Sequence, residues 1–448
     1  MITEQANGKM KVVVGLGQTG LSCARYLHRC GEPFKVADSR QNPPGLHQLK
    51  AECPGAELEL GEFSEETFLN AAQLIVSPGV DQHHPVIRKA VANGVMVTGD
   101  VNIFAHQVKA PMIAITGSNA KSTVTTLVGE MARADGVNVS VAGNIGVPVL
   151  DLLNEPPASL YVLELSSFQL ETTTDLGAEV ATVLNLSLDH MDRYDSMASY
   201  LAAKQRIFQG CRQAVINDDD PASQAELADD VQQWHFSLAR QAASEFSVLD
   251  VEGERCLAFN GKALLAVSEL KIAGDHNVAN ALAALALGHA AGLSMPSMIS
   301  ALKEFAGLPH RCQWVAESGG VSWYNDSKGT NTGACIAAVN GLAGKGHIIL
   351  LAGGQGKGAD FSVLREPLST HAKLAILFGE DAGLLEKALQ DAVMTVTVSS
   401  LEEAVKLADR EAVNGDVVLL SPACASFDMF DNFEHRGETF MRCVKELH

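Results

Sequence analysis

Short apolar runs and amphipathic stretches alternate along most of the chain. The first example is Lys11-Val-Val-Val-Gly15, followed by a helical pattern to Cys30 and then by the apolar run Phe34–Asp38. Apolar runs that end in Gly, Ser or Asp and are separated by amphipathic stretches are typical of parallel strands joined by crossover helices. The pattern therefore predicts an α/β fold.

Breaks in this pattern divide the chain into three regions. A polar stretch at His106–Pro111 closes the first region, and Gly307-Leu308-Pro309 closes the second. We therefore predict domains at residues 1–108, 109–308 and 309–448, which agrees with a prior of roughly 100–200 residues per domain. Further strands are predicted at Leu74–Ser77, Val95–Thr98, Met112–Thr116, Val137–Val141, Tyr161–Glu164, Val180–Leu186, Ala214–Asn217, His347–Leu351, Leu374–Phe378, Thr395–Val398 and Val417–Leu420.

Two segments of the second region depart from the simple alternation. Residues Trp234–Leu270 alternate polar and apolar side chains without strong helix signals, which favours antiparallel strands. The Ala-rich stretch Val278–Leu293 predicts a buried helix, because Asn280 and His289 interrupt it and it is too short to span a bilayer.

Composition narrows the class of protein. The chain is 47% hydrophobic and 19% charged, as in soluble globular proteins, and its formal net charge is −20. Such a charge argues against nucleic acid or an anionic membrane as partner, and it requires local Lys, Arg, backbone N–H groups or metal ions to hold any anionic substrate. Nine scattered cysteines without a C-x-x-C pair, and a polar N-terminus without a signal peptide, indicate the cytoplasm and no cysteine metal site.

The strongest chemical motif follows the strand Met112–Thr116. The loop Gly117-Ser-Asn-Ala-Lys-Ser122 lies between that strand and a helix predicted over Val124–Ala134. A helix N-terminus offers free N–H groups to a phosphate, Lys121 would neutralise phosphate oxygens, and the Ser122 hydroxyl is a candidate Mg²⁺ ligand. The match to G-x-x-x-x-G-K-[ST] is imperfect, since Ile115 and Ala120 replace its glycines. A strand–helix turn with a surface lysine is the alternative.

A second glycine motif, Gly15-Leu-Gly17-Gln-Thr-Gly20, follows the first strand. Asp38 ends the next strand, at about the spacing expected of a ribose-binding acid. By itself this motif indicates a pyrophosphate near a helix N-terminus, so it suits either NAD or a UDP-sugar, and simple close packing is a third interpretation. One such loop is enough for a dehydrogenase, whereas two favour a ligase that activates a nucleotide-linked substrate.

Metal-ligand candidates follow two further strands of the second region. Glu164 ends the run Tyr161–Glu164, and His190 lies in Leu188-Asp-His-Met-Asp-Arg-Tyr194. The carboxyl ends of strands in an open α/β sheet face the ligand crevice, where both residues are placed to hold Mg²⁺ against ATP and a carboxyl group. Taken alone, a histidine in a loop such as His190 is more often structural than a metal ligand. Only the presence of Glu164 and Lys121 in the same region favours a role as a metal ligand.

Three polar segments mark the third region. They are Asn325–Asn331, Gly353-Gly-Gln-Gly-Lys-Gly358 and Ser421-Pro-Ala-Cys-Ala-Ser-Phe-Asp428, each of which follows an apolar run. Their backbone N–H groups and lysines suit a ribose, phosphate or other anion. Taken singly, each is equally consistent with an ordinary Gly/Ser loop.

Together these motifs resemble the ADP-forming Mur ligases of peptidoglycan synthesis, over essentially the whole chain. The short G-[ST]-N-G-K-[ST] loop of that family matches Gly117–Ser122. The resemblance also rests on the segments LELSSFQL, LDHMDRY, LPHRCQ, NDSKGTN and LLSPACASFD. It implies a Rossmann-like N-terminal domain, a P-loop NTPase-like central domain, a Rossmann-like C-terminal domain, and UDP-N-acetylmuramoyl-L-alanine and D-glutamate as substrates.

The resemblance also implies the reaction. ATP would phosphorylate the carboxylate of the UDP substrate, giving an acyl phosphate and ADP, and the D-glutamate amine would displace phosphate to form the amide. The implied metal ligands are Ser122, Glu164, His190 and a carbamylated Lys204, which would hold two Mg²⁺ ions (or Mn²⁺). With Lys121 these ions would spread the developing charge.

Binding residues are implied residue by residue. The nucleotide would contact Gly117, Ser118, Asn119, Ala120, Lys121, Ser122, Thr123, Asn277, Arg311, Asp326 and Lys328. The UDP substrate would contact Gln18, Thr19, Asp38, Ser39, Arg40, Ser77, Gly79, Asn144 and Gln169. D-Glutamate would contact Thr330, Lys357, Ser426 and the backbone near Phe433.

One residue departs from the family pattern. Ala120 stands where the family usually has glycine. If its φ is positive, alanine costs about 1–2 kcal/mol, and if its backbone is helical, alanine is harmless. We expect a monomer, and alternatives to D-glutamate ligation are another Mur ligase, a folylpolyglutamate-type synthetase or an NAD-dependent dehydrogenase.

Overall fold

A computed structural model describes residues 9–189, 191, 193–238, 244–272 and 274–447. Within these ranges the strands form three separate sheets, one in each predicted region. The predicted boundaries fall in the connections between Gln107 and Met112 and between Glu304 and Gln313. None of the helices in the described part of the chain is long and apolar enough to cross a membrane.

The first sheet is wholly parallel, as its strand–helix alternation predicts. Its strand order is β3-β2-β1-β4-β5. The strands are β1 (Lys11–Val14), β2 (Phe34–Asp38), β3 (Glu57–Leu60), β4 (Gln73–Val76) and β5 (Met96–Thr98). The connecting helices are α1 (Gln18–Arg29), α2 (Leu46–Glu52), α3 (Glu65–Leu69), α4 (Pro85–Ala92) and α5 (Asp100–Gln107).

The second sheet has the order β14-β13-β12-β11-β10-β9-β6-β8-β7. Its strands are β6 (Met112–Thr116), β7 (Val139–Gly143), β8 (Leu160–Glu164), β9 (Val180–Val183), β10 (Gln213–Asn217), β11 (Gln232–Ser237), β12 (Phe246–Val251), β13 (Glu254–Phe259) and β14 (Lys262–Ala266). Its helices are α6 (Lys121–Ala134), α7 (Ser167–Glu171), α8 (Met197–Gln205), α9 (Asp275–Ala290) and α10 (Met295–Glu304).

The prediction of antiparallel strands near Trp234 is only partly right. Strand β11 pairs in parallel with β10, and β12 in parallel with β11, whereas β12–β13 and β13–β14 are antiparallel. Strands β12, β13 and β14 thus form a meander at the edge of the sheet, and the exposed residues of β12 and β13 lie around the turn that joins them. Helix α6 begins at Lys121, three residues before the predicted start, and β7 lies two residues later than predicted.

The third sheet has the order β15-β16-β20-β17-β18-β19, parallel except for the β15–β16 pair. Its strands are β15 (Gln313–Ser318), β16 (Val321–Asn325), β17 (Ile348–Gly353), β18 (Ala372–Phe378), β19 (Met394–Thr397) and β20 (Val417–Leu420). The helices are α11 (Thr332–Gly341), α12 (Arg365–His371), α13 (Ala382–Leu389), α14 (Leu401–Glu411) and α15 (Phe433–Leu447).

The three regions are not equally joined. One apolar core includes Leu27 and Phe104 of the first region together with Tyr161 and Leu163 of the second. The buried cores around the third sheet contain residues of that region alone. The first two regions therefore share an apolar interface, whereas polar side chains make the contacts between the third region and the phosphate loop that are described below.

Candidate active site

The loop Gly117–Ser122 is held by its own lysine and by a neighbouring loop. Lys121 Nζ donates to the carbonyl oxygens of Gly117 (2.8 Å) and Ser118 (2.9 Å). Asn185 lies just beyond β9, and its side chain accepts from Asn119 N at 2.8 Å and donates to Asn119 O at 3.2 Å. These contacts fix the backbone that leads into α6, whose N-terminus points at the site.

Ala120 has a left-handed backbone, with φ +66° and ψ −9°. It is the N-cap residue of α6, and its side chain makes no capping hydrogen bond. Of the two alternatives that the sequence left open, the structure therefore favours the strained one. An L-residue in this conformation costs about 1–2 kcal/mol relative to the right-handed region.

A second buried lysine contacts the same loop. Lys204 on α8 donates from Nζ to Gly117 O at 2.8 Å, the oxygen that Lys121 also uses, and to Thr116 Oγ1 at 3.4 Å. Burial, reinforced by the charge of Lys121, lowers the pKa of Lys204 well below its usual range. Burial also lowers the pKa of Lys121. Burial thus lowers the cost of deprotonating Lys204, whose neutral amine is the nucleophilic form of lysine.

Glu164 ends β8 beside these lysines and is 1% exposed. Its Oε1 accepts from Asn144 Nδ2 at 2.7 Å, while its buried Oε2 is hydrogen-bonded to no described residue. A buried carboxylate oxygen without a donor is costly, and it has the chemistry of a Mg²⁺ ligand. The residue thus fits its predicted role, which stays a prediction.

The other predicted metal ligands are only partly described. Ser122 Oγ accepts from Arg311 Nη2 at 2.7 Å, and His190 lies outside the described residues. Among the residues that are described, no three His, Cys, Asp or Glu side chains cluster as a metal site. Glu164, Ser122 and Lys204 would therefore have to act with phosphate oxygens and water in holding an ion, as Mg²⁺ commonly requires.

A cavity of about 330 Å³ lies between the phosphate loop, α9 and the third region. Asn280, Phe236 and Leu184 also line it, although the sequence analysis did not assign them. Asn280 was detectable in principle, because it is a polar residue in an otherwise Ala- and Leu-rich buried helix. The predicted nucleotide residues in its lining are Asn119, Ala120, Thr123, Asn277, Arg311, Asp326 and Lys328.

Residues of the third region close over this cavity. Asn331 Nδ2 donates to Asn119 Oδ1 (3.1 Å) and to Asp189 Oδ2 (3.3 Å), joining the third region to the phosphate loop. Asp326 accepts from Cys312 N and Ser421 Oγ, and burial raises its pKa to about 7. Lys328 lies 3.7 Å from the centre of the Phe433 ring, and burial lowers its pKa to about 8.

A second cavity, of about 660 Å³, lies between the first and second regions. Its lining contains all nine residues predicted to bind the UDP substrate: Gln18, Thr19, Asp38, Ser39, Arg40, Ser77, Gly79, Asn144 and Gln169. Asn144 and Gln169 come from the second region. Since Asn144 also donates to Glu164, it links this cavity to the phosphate-loop site.

The carboxylate of Asp38 already accepts four hydrogen bonds within the protein. It accepts from Leu16 N (2.6 Å) and, at 2.7–2.9 Å, from three nitrogens of Arg40. A carboxylate has about four acceptor positions, so none is left for the two ribose hydroxyls that an NAD-binding acid would hold. The geometry of Asp38 thus does not support the dehydrogenase interpretation.

The residues predicted for D-glutamate lie on adjacent loops after β16, β17 and β20. The β17 and β20 loops pair through Gln355 and Ala425, and Ser327 Oγ donates to Phe433 O at 2.8 Å. Arg436 on α15, which the sequence analysis missed, is fully buried and donates to the carbonyl oxygens of Ser327, Gly353 and Cys424. The structure brings together the loops that carry Thr330, Lys357, Ser426 and Phe433, whose role stays a prediction.

Three family models match the chain in series. They are the Mur ligase MurD-like N-terminal domain at residues 9–99, the Mur ligase middle domain at 115–288, and the Mur ligase glutamate ligase domain at 310–424. The UDP-N-acetylmuramoylalanine–D-glutamate ligase of Pseudomonas aeruginosa is 54% identical, covering 99% of both chains. That of Marinobacter nauticus is 51% identical over 97% of this chain and 98% of its own.

Solved structures show the same fold at low identity. The UDP-N-acetylmuramate–alanine ligase of Thermotoga maritima superimposes with a TM-score of 0.60 at 18% identity, covering 98% of this chain and 100% of that one. The type C pseudomurein peptide ligase of Methanothermus fervidus gives 0.64 at 18% identity, with the same coverage. The predicted α/β fold and the family resemblance are thus confirmed, and the chain belongs to the Mur ligase family.

Proposed function

We propose that this chain is an ATP-dependent amide ligase that joins D-glutamate to UDP-N-acetylmuramoyl-L-alanine in cytoplasmic peptidoglycan precursor synthesis. Relatives that carry this activity in their names match the chain from end to end at more than half identity. The structural observation that carries the proposal is the Asn144–Glu164 hydrogen bond, which joins the wall of the second cavity, here called the UDP cavity, to the phosphate-loop site. A substrate held in the UDP cavity would reach the phosphoryl group of ATP at this junction.

The chemistry divides into two balanced steps. A carboxylate oxygen of the UDP substrate attacks the γ-phosphorus of ATP, forming an acyl phosphate and releasing ADP. The D-glutamate amine then attacks the acyl carbon, loses a proton, and phosphate leaves with its bonding electrons. A free carboxylate is a poor electrophile, so phosphorylation supplies the leaving group that amide formation needs.

One group of residues would bind the nucleotide, and a second group would hold the metal ions. Lys121 leaves the loop carbonyls to meet the phosphates of ATP, while Arg311, Asp326 and Lys328 hold the nucleotide from the third region. Ser122, Glu164, His190 and a carbamylated Lys204 would hold Mg²⁺, which when bound neutralises phosphate charge. Burial lowers the pKa of Lys204, which makes the neutral amine that carbon dioxide requires for carbamylation easier to form.

A panel of acceptors tests the proposal. Phosphate release is expected only when ATP, UDP-N-acetylmuramoyl-L-alanine and D-glutamate are all present. Release with L-alanine and the unextended UDP-N-acetylmuramate, or equal rates with L- and D-glutamate, would assign a different member of the family. Turnover with a folate and glutamate would favour a folylpolyglutamate-type synthetase.

A further inference from the structure

Arg193 lies where three parts of the candidate active site meet. It belongs to the connection between β9 and α8, which also carries Asp189, an acceptor from Asn331 of the third region. Its guanidinium carbon lies 4.4 Å from the centre of the Phe168 ring, on the helix α7 that also carries Gln169. Its Nη2 donates to Val80 O, in the first region, at 3.4 Å.

The contact with Val80 reaches the wall of the UDP cavity directly, and the contact with Phe168 reaches the residue next to it in sequence. Val80 and Gln169 both line that cavity, and Phe168 directly precedes Gln169. The neighbouring Asp81 lines it as well. Burial acts to raise the pKa of Asp81, but the His83 N–H and the charge of Arg193 lower it on balance.

Aromatic side chains continue from Arg193 to the phosphate loop. The Phe168 ring is stacked with that of Tyr194, with centroids 5.9 Å apart, and Tyr194 lies 5.2 Å from the Tyr200 ring. The Tyr200 hydroxyl is 3.2 Å from Ser118 Oγ in the phosphate loop. One contiguous set of packed side chains thus joins the UDP cavity wall to the loop predicted to hold ATP.

We infer that Arg193 is a positioning residue for the ligase reaction. It fastens the 77–81 turn of the first region to the connection that carries Asp189, and so sets the separation between bound UDP substrate and the phosphoryl group. The inference rests on the proposed function. A planar guanidinium suits this place because it can lay its plane on a ring while a separate nitrogen donates to a carbonyl, whereas lysine has a single nitrogen for both contacts.

Two other arginines provide matched controls. Arg25 and Arg29 on α1 also bridge the first and second regions, through Asp151 and Asn154. Neither of those partners lines a cavity of the site, whereas Val80, the partner of Arg193, lines the UDP cavity. If interdomain adhesion were all that Arg193 supplied, removing any of the three would have a similar effect. A positioning role requires that Arg193 alone changes the kinetics.

The experiment compares Arg193→Ala, Arg193→Lys and Arg29→Ala by steady-state kinetics and thermal melting. For Arg193→Ala we expect kcat/KM for the UDP substrate to fall about a hundredfold, because a shift of about 1 Å between reacting groups can cost that much in rate. The KM for ATP and the melting temperature should change little. Arg193→Lys should recover only part of this loss, and Arg29→Ala should match wild type.

Unchanged kinetics in Arg193→Ala, or equal losses in Arg193→Ala and Arg29→Ala, would overturn the inference. If Arg193→Ala does not fold, Phe168→Leu removes the stacking surface while keeping the arginine. In this variant kcat/KM for the UDP substrate should fall, while the KM for ATP should change by a smaller factor. Wild-type kinetics in Phe168→Leu would also overturn the inference. Wild-type protein without D-glutamate-dependent turnover would instead refute the proposed function, so the two failures are distinguishable.

Discussion

The two glycine loops of this molecule share a strand–loop–helix architecture and differ in charge. Each follows an interior strand that has a parallel neighbour on both sides and leads into a helix, from β1 to α1 in one case and from β6 to α6 in the other. The first contains no lysine or arginine, whereas the second contains Lys121. Backbone N–H groups at a helix N-terminus suffice to bind a diphosphate, while phosphoryl transfer needs buried positive charge.

Their glycines differ as well. A Cβ on Gly20 would lie 1.8 Å from Gly15 O, so α1 can approach the loop only because residue 20 has no side chain. In the phosphate loop, by contrast, the left-handed residue is an alanine, Ala120. The first loop thus has glycine both at its close contact, Gly20, and at its left-handed position, Gly15 (φ +90°), whereas the second loop carries an L-residue in the left-handed region.

The largest expected effect comes from removing charge from the second loop. Lys121→Ala should lower kcat to about a thousandth of wild type or less, because a preorganised cation at the transferring phosphoryl group is lost. Binding of UDP-N-acetylmuramoyl-L-alanine, measured by calorimetry without ATP, should stay within about twofold of wild type. Equal loss of turnover and of UDP-substrate binding would mean that the two loops do not serve separate ligands.

A substitution in the first loop, Gly20→Ala, should weaken binding of the UDP substrate and leave ATP binding unchanged. Gly20→Ala forces the backbone apart at Gly15, at a cost of about 1–3 kcal/mol, so affinity for the UDP substrate should fall roughly ten- to a hundredfold. ATP affinity, measured with a non-hydrolysable analogue, should not change.

Gly17→Ala is the matched control for this substitution. A Cβ on Gly17 has nothing of the protein within 4 Å, and its φ is −90°, so Gly17→Ala should keep the wild-type melting temperature. Since Gly17 also lines the UDP cavity, this variant is a control for stability, and equal losses of melting temperature in both variants would mean that the close approach of Gly20 does not shape the first loop.

The same contrast shows how far sequence reasoning reaches. Both loops and their strands were predictable from the residues themselves, because strand–loop–helix motifs are contiguous in sequence. The nine predicted residues in the lining of the UDP cavity extend from Gln18 to Gln169 and were implied only by the family resemblance. Arg436, Asn185 and the Arg311–Ser122 hydrogen bond were not, since each joins residues that lie far apart along the chain. The conformation of Ala120 was also beyond the sequence, because φ depends on how the loop is anchored by Asn185.

A pH dependence should distinguish the nucleotide cavity from the UDP cavity. Lys328 has a pKa lowered to about 8 by burial, so its positive charge is lost as pH rises through that value. We expect kcat/KM for ATP, which reports the free enzyme, to fall by up to about tenfold between pH 8 and 9. The value for the UDP substrate at saturating ATP should change less.

The effect of the same titration on folding stability has the opposite sign to its effect on ATP binding, so the two effects can be told apart. Between pH 8 and the unfolded pKa of lysine the unfolded chain binds more protons at this residue, so the contribution of Lys328 to the free energy of unfolding rises with pH. Loss of ATP binding in this range is therefore not caused by unfolding through Lys328. Lys328→Met should have a flat profile over the same range, and a profile that still falls would assign the titration to another group.

The smallest expected effect concerns Ala120. Replacing alanine by glycine usually destabilises a protein, but at this position we expect the opposite or no change. Because φ is +66°, Ala120→Gly should relieve about 1 kcal/mol of backbone strain, partly offset by the greater entropy of glycine in the unfolded chain. The variant should therefore unfold at the same or slightly higher denaturant concentration and bind ATP up to about fivefold more tightly. Ala134→Gly, at the exposed and regularly helical end of α6, is the matched control and should destabilise the protein slightly. If Ala120→Gly destabilises as much as Ala134→Gly does, the left-handed conformation of residue 120 is not the one that the loop adopts in solution.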